Sequence, residues 1–416
     1  MTQDEEYIES KFEAGANDSV KRPIEDPGER PIEDPAGNRA IVSLTELTQI
    51  RQALHRIPEI AFDLPLTSAF IKEKLISYGY EPISVATSGW IALVEGKGSD
   101  AIALRADMDG LEVTEANEVS YQSTHPGQMH ACGHDGHMTM LLGLAKWLKY
   151  QPQPEKTVVM IFQPAEEGPG GARVIMESGI LQQYKVSKIY GFHLFPGLPQ
   201  GILGLTEGPF MARCGEFDIA IKGKGSHAGQ AQLGIDALIA GARIIEAVQT
   251  IRSRNQDPLR PLVVNIGTMR AGEARNSVAE NATLTGTIRS YDEASFNQAV
   301  QRLTEIVQVT QILTKTKIVL TVRPLYPEVI NDPEMIQGLK AILARTDFEV
   351  LEPLMLAEDF SYYQRSIRGA FLFLGTGRDD LGLNQPLHSA RFNFDEGVLV
   401  KGVEFYQRIL AIEKVW

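Results

Sequence analysis

Thr157-Val-Val-Met-Ile-Phe162 is a short apolar run that breaks off into Gln163-Pro-Ala-Glu166-Glu167-Gly168. It reads as a buried strand that stops at a tight turn fixed by Pro164 and Gly168. The arrangement recurs along the chain: Ala101–Ala106 runs into Asp107-Met-Asp109, and Lys188–Phe192 runs into His193. Trp90–Glu95 is another strand-like run. Between these runs an amphipathic helix is expected over about Gly136–Tyr150, with Met140, Leu141, Leu144 and Leu148 on one face. Leu44, Leu47, Ile50, Leu54 and Ile57 repeat at helical spacing, and Thr67–Tyr78 reads as a second helix. Strands alternating with helices argue for a largely parallel α/β sheet. In such sheets ligands bind beyond the carboxyl ends of the strands, where three of these runs carry potential ligands.

The rhythm changes over residues 213–323. Strand Glu216–Lys222, helix Ile235–Ser253, strands Leu262–Arg270 and Ala282–Ser290, helix Ala294–Leu313 and strand Lys317–Val322 give the order β-α-β-β-α-β. That is the ferredoxin-like order, a complete folding unit. It is expected as an inserted domain, which leaves 41–212 and 324–416 as a discontinuous catalytic, metal-binding domain. α/β character resumes there with helix Pro333–Arg345, strand Ala370–Leu374 and a last helix over Glu396–Glu413. Residues 1–40 are rich in Pro and acid and repeat Arg22-Pro-Ile-Glu-Asp-Pro-Gly-Glu29 directly as Arg30-Pro-Ile-Glu-Asp-Pro-Ala-Gly37. They are expected to form a flexible extension, because so few apolar residues cannot offset the entropy of ordering.

The length of 416 residues exceeds one ordinary core and favours two or three domains. A net charge of −13 argues against a nucleic-acid partner, since no basic excess exists to neutralise phosphates. No apolar run approaches the roughly 20 residues of a membrane span, and MTQDEEYIES lacks a signal-peptide pattern. With only two cysteines, Cys132 and Cys214, no disulfide framework exists. A soluble, cytoplasmic protein without a membrane partner is expected.

His130-Ala-Cys132-Gly-His134-Asp-Gly-His137 packs three of the chain's eight histidines beside a thiol and a carboxylate. Such a set is expensive to bury unless a cation binds it, and it reads as a transition-metal site. Cys132 and His134 stand two apart, so an extended segment would point both the same way. Two adjacent carboxylates after a strand are by default a solvated loop. At a ligand-binding edge, however, one can coordinate metal while the other carries a proton. His193 and His388 sit in expected loops and would complete the ligand count. His227 ends a strand in a Gly-rich segment able to approach another surface. Asp109 reads as a residue orienting a ligand. Asp107, His130, His137, Glu358 and Asp359 stay open between support and structural roles.

RADMDG (105–110), HACGHDGHM (130–138), FQPAEEGPGGA (162–172), GFHLFP (191–196), GKGSHAG (223–229), GTIRSYD (286–292), AEDFSYY (357–363) and LHSARFNFDE (387–396) together resemble the hippurate hydrolase-like N-acyl-amino-acid amidohydrolases. These belong to the aminoacylase and carboxypeptidase group of dinuclear metallopeptidases, and the resemblance spans about residues 43–412. It implies a zinc-exopeptidase-like three-layer α/β catalytic domain with an inserted ferredoxin-like dimerisation or lid domain. It also implies two divalent ions per subunit, Zn or Mn, with Co or Ni also compatible. Cys132 matches the bridging ligand, and His134, Glu167, His193 and His388 match the others. Glu166 matches the catalytic base. His227 resembles a histidine that reaches across a homodimer interface to help stabilise the oxyanion, and Asn276 and Arg289 match positions holding the substrate carboxylate. The implied activity is hydrolysis of a small-molecule N-acyl amino acid, hippurate-like or N-acetyl, or a related conjugate, by metal-activated water.

Departures from the family pattern bear on the substrate. His227-Ala-Gly-Gln-Ala lacks the usual proline, and Asn276-Ser-Val-Ala-Glu replaces Asn-Val-Ile-Pro. Three other readings stay open: a small dipeptidase or carboxypeptidase of the same group, a hydrolase with Cys132 as nucleophile, and a non-catalytic metal-binding protein.

Overall fold

In the structure, a computed structural model, residues 31–33 and 40–416 are described. In chain order the principal strands are β1 (Ile83–Val85), β2 (Gly89–Val94), β3 (Ala101–Asp107), β4 (Thr157–Gln163), β5 (Val186–Pro199), β6 (Leu203–Leu205), β7 (Arg213–Lys222), β8 (Leu262–Ala271), β9 (Asn281–Ser290), β10 (Lys317–Pro324), β11 (Phe348–Val350) and β12 (Arg368–Gly377). The helices used below are α1 (Leu44–His55), α2 (His134–Leu148), α3 (Ala237–Thr250), α4 (Glu293–Thr314) and α5 (Gly397–Ile412).

Eight strands form one sheet in the order β11-β6-β12-β5-β3-β4-β2-β1. Its centre is parallel, β12 with β5, β5 with β3 and β3 with β4. The β1–β2 and β2–β4 pairs and the β12–β6 pair are antiparallel, so the sheet is mixed rather than largely parallel. β3 is buried along its whole length, as a central strand covered on both faces must be. Alternate side chains go to opposite layers. Ile102, Leu104, Met160 and Phe162 pack with Met140, Leu144, Val403 and Tyr406 of α2 and α5. Ala103, Val159 and Ile161 pack with Ile175, Leu181 and Tyr363 on the other face. The result is a three-layer α/β/α body. α2 and α5 approach closely because Gly402 faces Met140, where an added Cβ would lie 1.9 Å from Sδ.

β7, α3, β8, β9, α4 and β10 follow in the β-α-β-β-α-β order and form a separate four-stranded antiparallel sheet, β8-β9-β7-β10. Phe217, Ile219, Ile221 and Leu284 on one sheet face pack against Ile244 of α3 and Phe296 and Leu303 of α4. Asp236 and Asp292 cap the two helices by accepting backbone N–H groups of the first turns.

The expected extension lies outside the described residues except at 31–33 and 40. There Ile32–Glu33 pairs with Ala40–Val42 and Ile32 is buried in the larger core, so its apolar side chain is anchored. Among the described residues no helix is long and apolar enough to cross a membrane.

Candidate active site

The carboxyl ends of β3, β4 and β5 meet the start of α2. Gly133 adopts φ +88 and opens that helix, so His134 is its first residue. The extended geometry expected for Cys132 and His134 is thus replaced by a left-handed corner, which glycine adopts without a Cβ penalty. The corner still turns both side chains into one cluster: ligand-type atoms of Cys132, His134 and His193 lie within 4.8 Å of one another. His193 lies inside β5 rather than in a loop, because β5 keeps pairing with β12 past that point. His388 does sit in a loop, at φ +65, with its N–H donating to the Ala131 carbonyl at 2.9 Å.

The hydrogen bonds select which atom each histidine presents. A carbonyl can only accept, so His134 Nδ1 donates to Asp109 O at 2.8 Å and His193 Nδ1 donates to Leu194 O at 2.7 Å. Both Nε2 atoms are left as lone-pair donors. His193 Nε2 and His388 Nε2 each lie 3.3 Å from Cys132 Sγ, and His388 Nε2 lies 3.3 Å from Glu167 Oε1. His134 Nε2 is buried without a hydrogen-bond partner. An orphaned, aimed nitrogen among soft and hard donors fits a divalent transition ion. The field agrees. Burial opposes a charged His134, yet Asp107, Asp109 and Glu167 outweigh it and push its pKa up to about 10. Such a pocket favours a cation, and a metal ion would take the place of that proton. Burial, with Glu167 and Glu166 beside it, drives the Cys132 thiol well above its usual range.

Glu166 and Glu167 follow β4 on a turn whose Ala165 has φ +58. Asp109 holds this turn, its two oxygens accepting the Glu166 and Glu167 N–H groups at 3.1 and 3.2 Å. Asp109 therefore braces both His134 and the carboxylate pair. The two glutamates are set apart electrostatically. Burial works against both charges, but His388 and His134 hold Glu167 low, whereas burial, Glu358, Glu167 and Asp359 hold Glu166 well above the ordinary range.

Behind this wall lies a buried Arg105, its guanidinium meeting Asp107 at 2.5 Å, Glu358 at 2.9 Å and Asp359 at 2.8 Å. Asp107 also accepts from His137 Nδ1 at 2.6 Å, and His137 Nε2 accepts the Leu194 N–H at 2.9 Å, which fixes the backbone beside His193. The one charged residue in the apolar run Ala101–Ala106 was the available signal for Arg105. His130 is buried with neither ring nitrogen hydrogen-bonded, and burial lowers its pKa to about 3.

A cavity of about 600 Å³ opens in front of Cys132, Glu166, Glu167, His193 and His388. Met211, Leu356, Phe373 and Leu387 give it an apolar wall, and Arg289, Cys214 and Glu216 of the four-stranded unit face it from across. Arg289 is thus brought to the cavity, with Nη1 donating to Met355 O at 2.5 Å. His227 and Asn276 do not line it. His227 is exposed on a short ladder, Ser226–His227 with Ser277–Val278, and the carbonyl of Asn276, just before that second strand, accepts the Ala228 N–H at 2.9 Å.

Residues 103–412 match the family model described as Peptidase family M20/M25/M40. The chain is 36% identical over 370 residues to IAA-amino acid hydrolase ILR1-like 4 of Arabidopsis thaliana, covering 86% of this chain and 83% of that protein. It is 36% identical over 368 residues to an N-acetyldiaminopimelate deacetylase of Halalkalibacterium halodurans, covering 86% and 96%. The crystal structure of a Bacillus subtilis dinuclear metal-binding peptidase of the M20 family superposes with a TM-score of 0.76 at 30% identity, over 89% of this chain and 99% of that one.

Proposed function

The chain belongs to peptidase family M20/M25/M40 and is a metal-dependent amidohydrolase; on that premise we propose that it releases amino acids from small N-acyl conjugates, hippurate-like or N-acetyl, with Glu166 as the proton carrier. The observation that carries this reading is the gathering, beside Glu166, of Cys132, Glu167, His193 and His388 on one cavity wall with His134 buried against them. Those five would hold two divalent ions, Zn or Mn, with Co or Ni also suited to the donor set. Bound there, the ions supply Lewis-acid polarisation of the amide carbonyl and make water more acidic.

The chain's own groups do the rest. Glu166, as its carboxylate, takes a proton from the attacking water and returns it to the leaving amine, and surroundings that raise its proton affinity strengthen it as the base. Asp109 keeps the Glu166–Glu167 turn in place. Arg289 receives the substrate carboxylate, and the wall of Met211, Leu356, Phe373 and Leu387 receives the acyl group. The names of the relatives, an IAA-amino acid hydrolase and an N-acetyldiaminopimelate deacetylase, support a conjugated amino acid as substrate. His227 and Asn276 serve the partner's cavity in a homodimer. A cysteine nucleophile is disfavoured, because the surroundings of Cys132 oppose a free thiolate.

The test is a panel of N-acetyl and N-benzoyl amino acids assayed after chelation and after return of each metal. Turnover that vanishes with chelation and returns with metal is expected. Undiminished turnover in the chelated protein would overturn the reading.

A further inference from the structure

The return crossing from the four-stranded unit into the larger body is tied directly to the Glu166 turn. Beyond the end of β10 at Pro324, Leu325 donates its N–H to the Cys214 carbonyl and the Cys214 N–H donates to the Tyr326 carbonyl, each at 3.0 Å. The two crossing segments are thereby locked to each other. The Tyr326 hydroxyl then donates to the backbone carbonyl of Glu166 at 2.6 Å. Its ring stands edge-on to Tyr362 at 6.1 Å, and the Tyr362 hydroxyl donates to the Leu325 carbonyl at 2.9 Å. On its other side the Glu166 turn is held through its N–H groups by Asp109. The turn is therefore pinned at its amides by the strand edge and at a carbonyl by the crossing.

We infer that Tyr326 is a positioning residue, whose hydroxyl makes the setting of the Glu166 carboxyl depend on the seating of the four-stranded unit. This rests on the reading of Glu166 as the proton carrier. A peptide plane freed at its carbonyl can rotate, and displacement of a reacting group by about 1 Å costs up to ~100-fold in rate. Tyr326 also lines the cavity, but Tyr326→Phe keeps its ring there and removes only the hydroxyl that holds the Glu166 carbonyl, so the loss is expected in kcat.

Full-length, metal-loaded Tyr326→Phe, Tyr362→Phe and Glu166→Gln proteins are compared with the parent on N-acetyl and N-benzoyl amino acids. Amide hydrogen exchange over residues 163–171 is followed without substrate. For Tyr326→Phe, the expected results are a kcat lower by roughly tenfold, a KM within about twofold and a larger solvent deuterium isotope effect on kcat. Faster exchange across the turn is also expected. An inactive fraction would lower kcat and leave the isotope effect as in the parent, which overturns the proposal. Parent-like kcat or parent-like exchange in Tyr326→Phe overturns it too. Loss of activity in Glu166→Gln together with parent-like Tyr326→Phe removes only the Tyr326 role, whereas parent-like Glu166→Gln removes the reading of Glu166 itself.

Discussion

Cys132 shows how one side chain can be read two ways and then decided by its neighbours. A thiol 3.3 Å from two imidazole nitrogens resembles a nucleophile with its base. Two carboxylates in the same cluster argue otherwise, because they destabilise a thiolate that has no cation to answer it. Cys132→Asp keeps an anionic donor and removes the nucleophile. It should retain metal-dependent turnover, while Cys132→Ala should lose it, and kcat with the bound-metal content of both variants checks this. A dead Cys132→Asp protein with its full metal content would favour the thiol. Arg105 makes a different prediction at the same scale. Its guanidinium is the cation for Asp107, Glu358 and Asp359, all buried. Arg105→Met leaves those carboxylates uncompensated and should cost about 3–5 kcal/mol, read from the urea midpoint at neutral pH.

Between elements, the site is held by a brace that joins α1 to the first turn of α2. Arg51 Nε donates to Asp135 Oδ2 at 2.9 Å, and His55 Nδ1 lies 2.7 Å from the same oxygen. The guanidinium sits between the rings of Tyr121 and Phe394, at 4.8 and 4.4 Å. Burial opposes the Asp135 charge, but Arg51 and His55 prevail and hold its pKa far below the carboxylate range. A carboxyl lowered by folding contributes stability that is present above its unfolded pKa of ~3.9 and is lost as pH falls through its folded value. Denaturant midpoints should therefore drop as pH falls below ~4. Asp135→Asn should flatten that slope and cost about 3–5 kcal/mol at pH 7; an unchanged slope would mean that another group is linked. None of this was legible in the sequence, where Arg51 and His55 are polar residues lying between the apolar positions Ile50, Leu54 and Ile57 of a helical repeat. What was legible were the strand ends, since a run such as Thr157–Phe162 has to stop before Pro164 and the polar residues after it have to face the sheet edge. The extent of β5 was hidden, because its last residues are held by β12, far away in sequence. The start of α2 was hidden too, because it depends on the positive φ of Gly133.

At the scale of the molecule, the placement of His227 sets the strongest constraint. Within one chain it stands exposed on a short ladder and takes no part in the cavity that holds Glu166. Either it is idle, or it works in the cavity of a second copy, as the proposed homodimer requires. Subunit mixing separates the two. In a heterodimer of Glu166→Gln and His227→Ala chains, one cavity carries both defects and the other carries neither. Random pairing of equal amounts makes half the dimers mixed, so two weakly active proteins should together recover roughly a quarter of the parent turnover. Co-expression with two different tags, followed by double purification, gives the mixed dimer alone, which has one intact site of two and should show about half the parent turnover. A His227 acting within its own chain predicts no recovery, since each chain would then spoil its own site. A His227→Ala protein with parent kcat would instead leave the histidine without a catalytic part, and the oxyanion would have to be met by groups already lining the cavity.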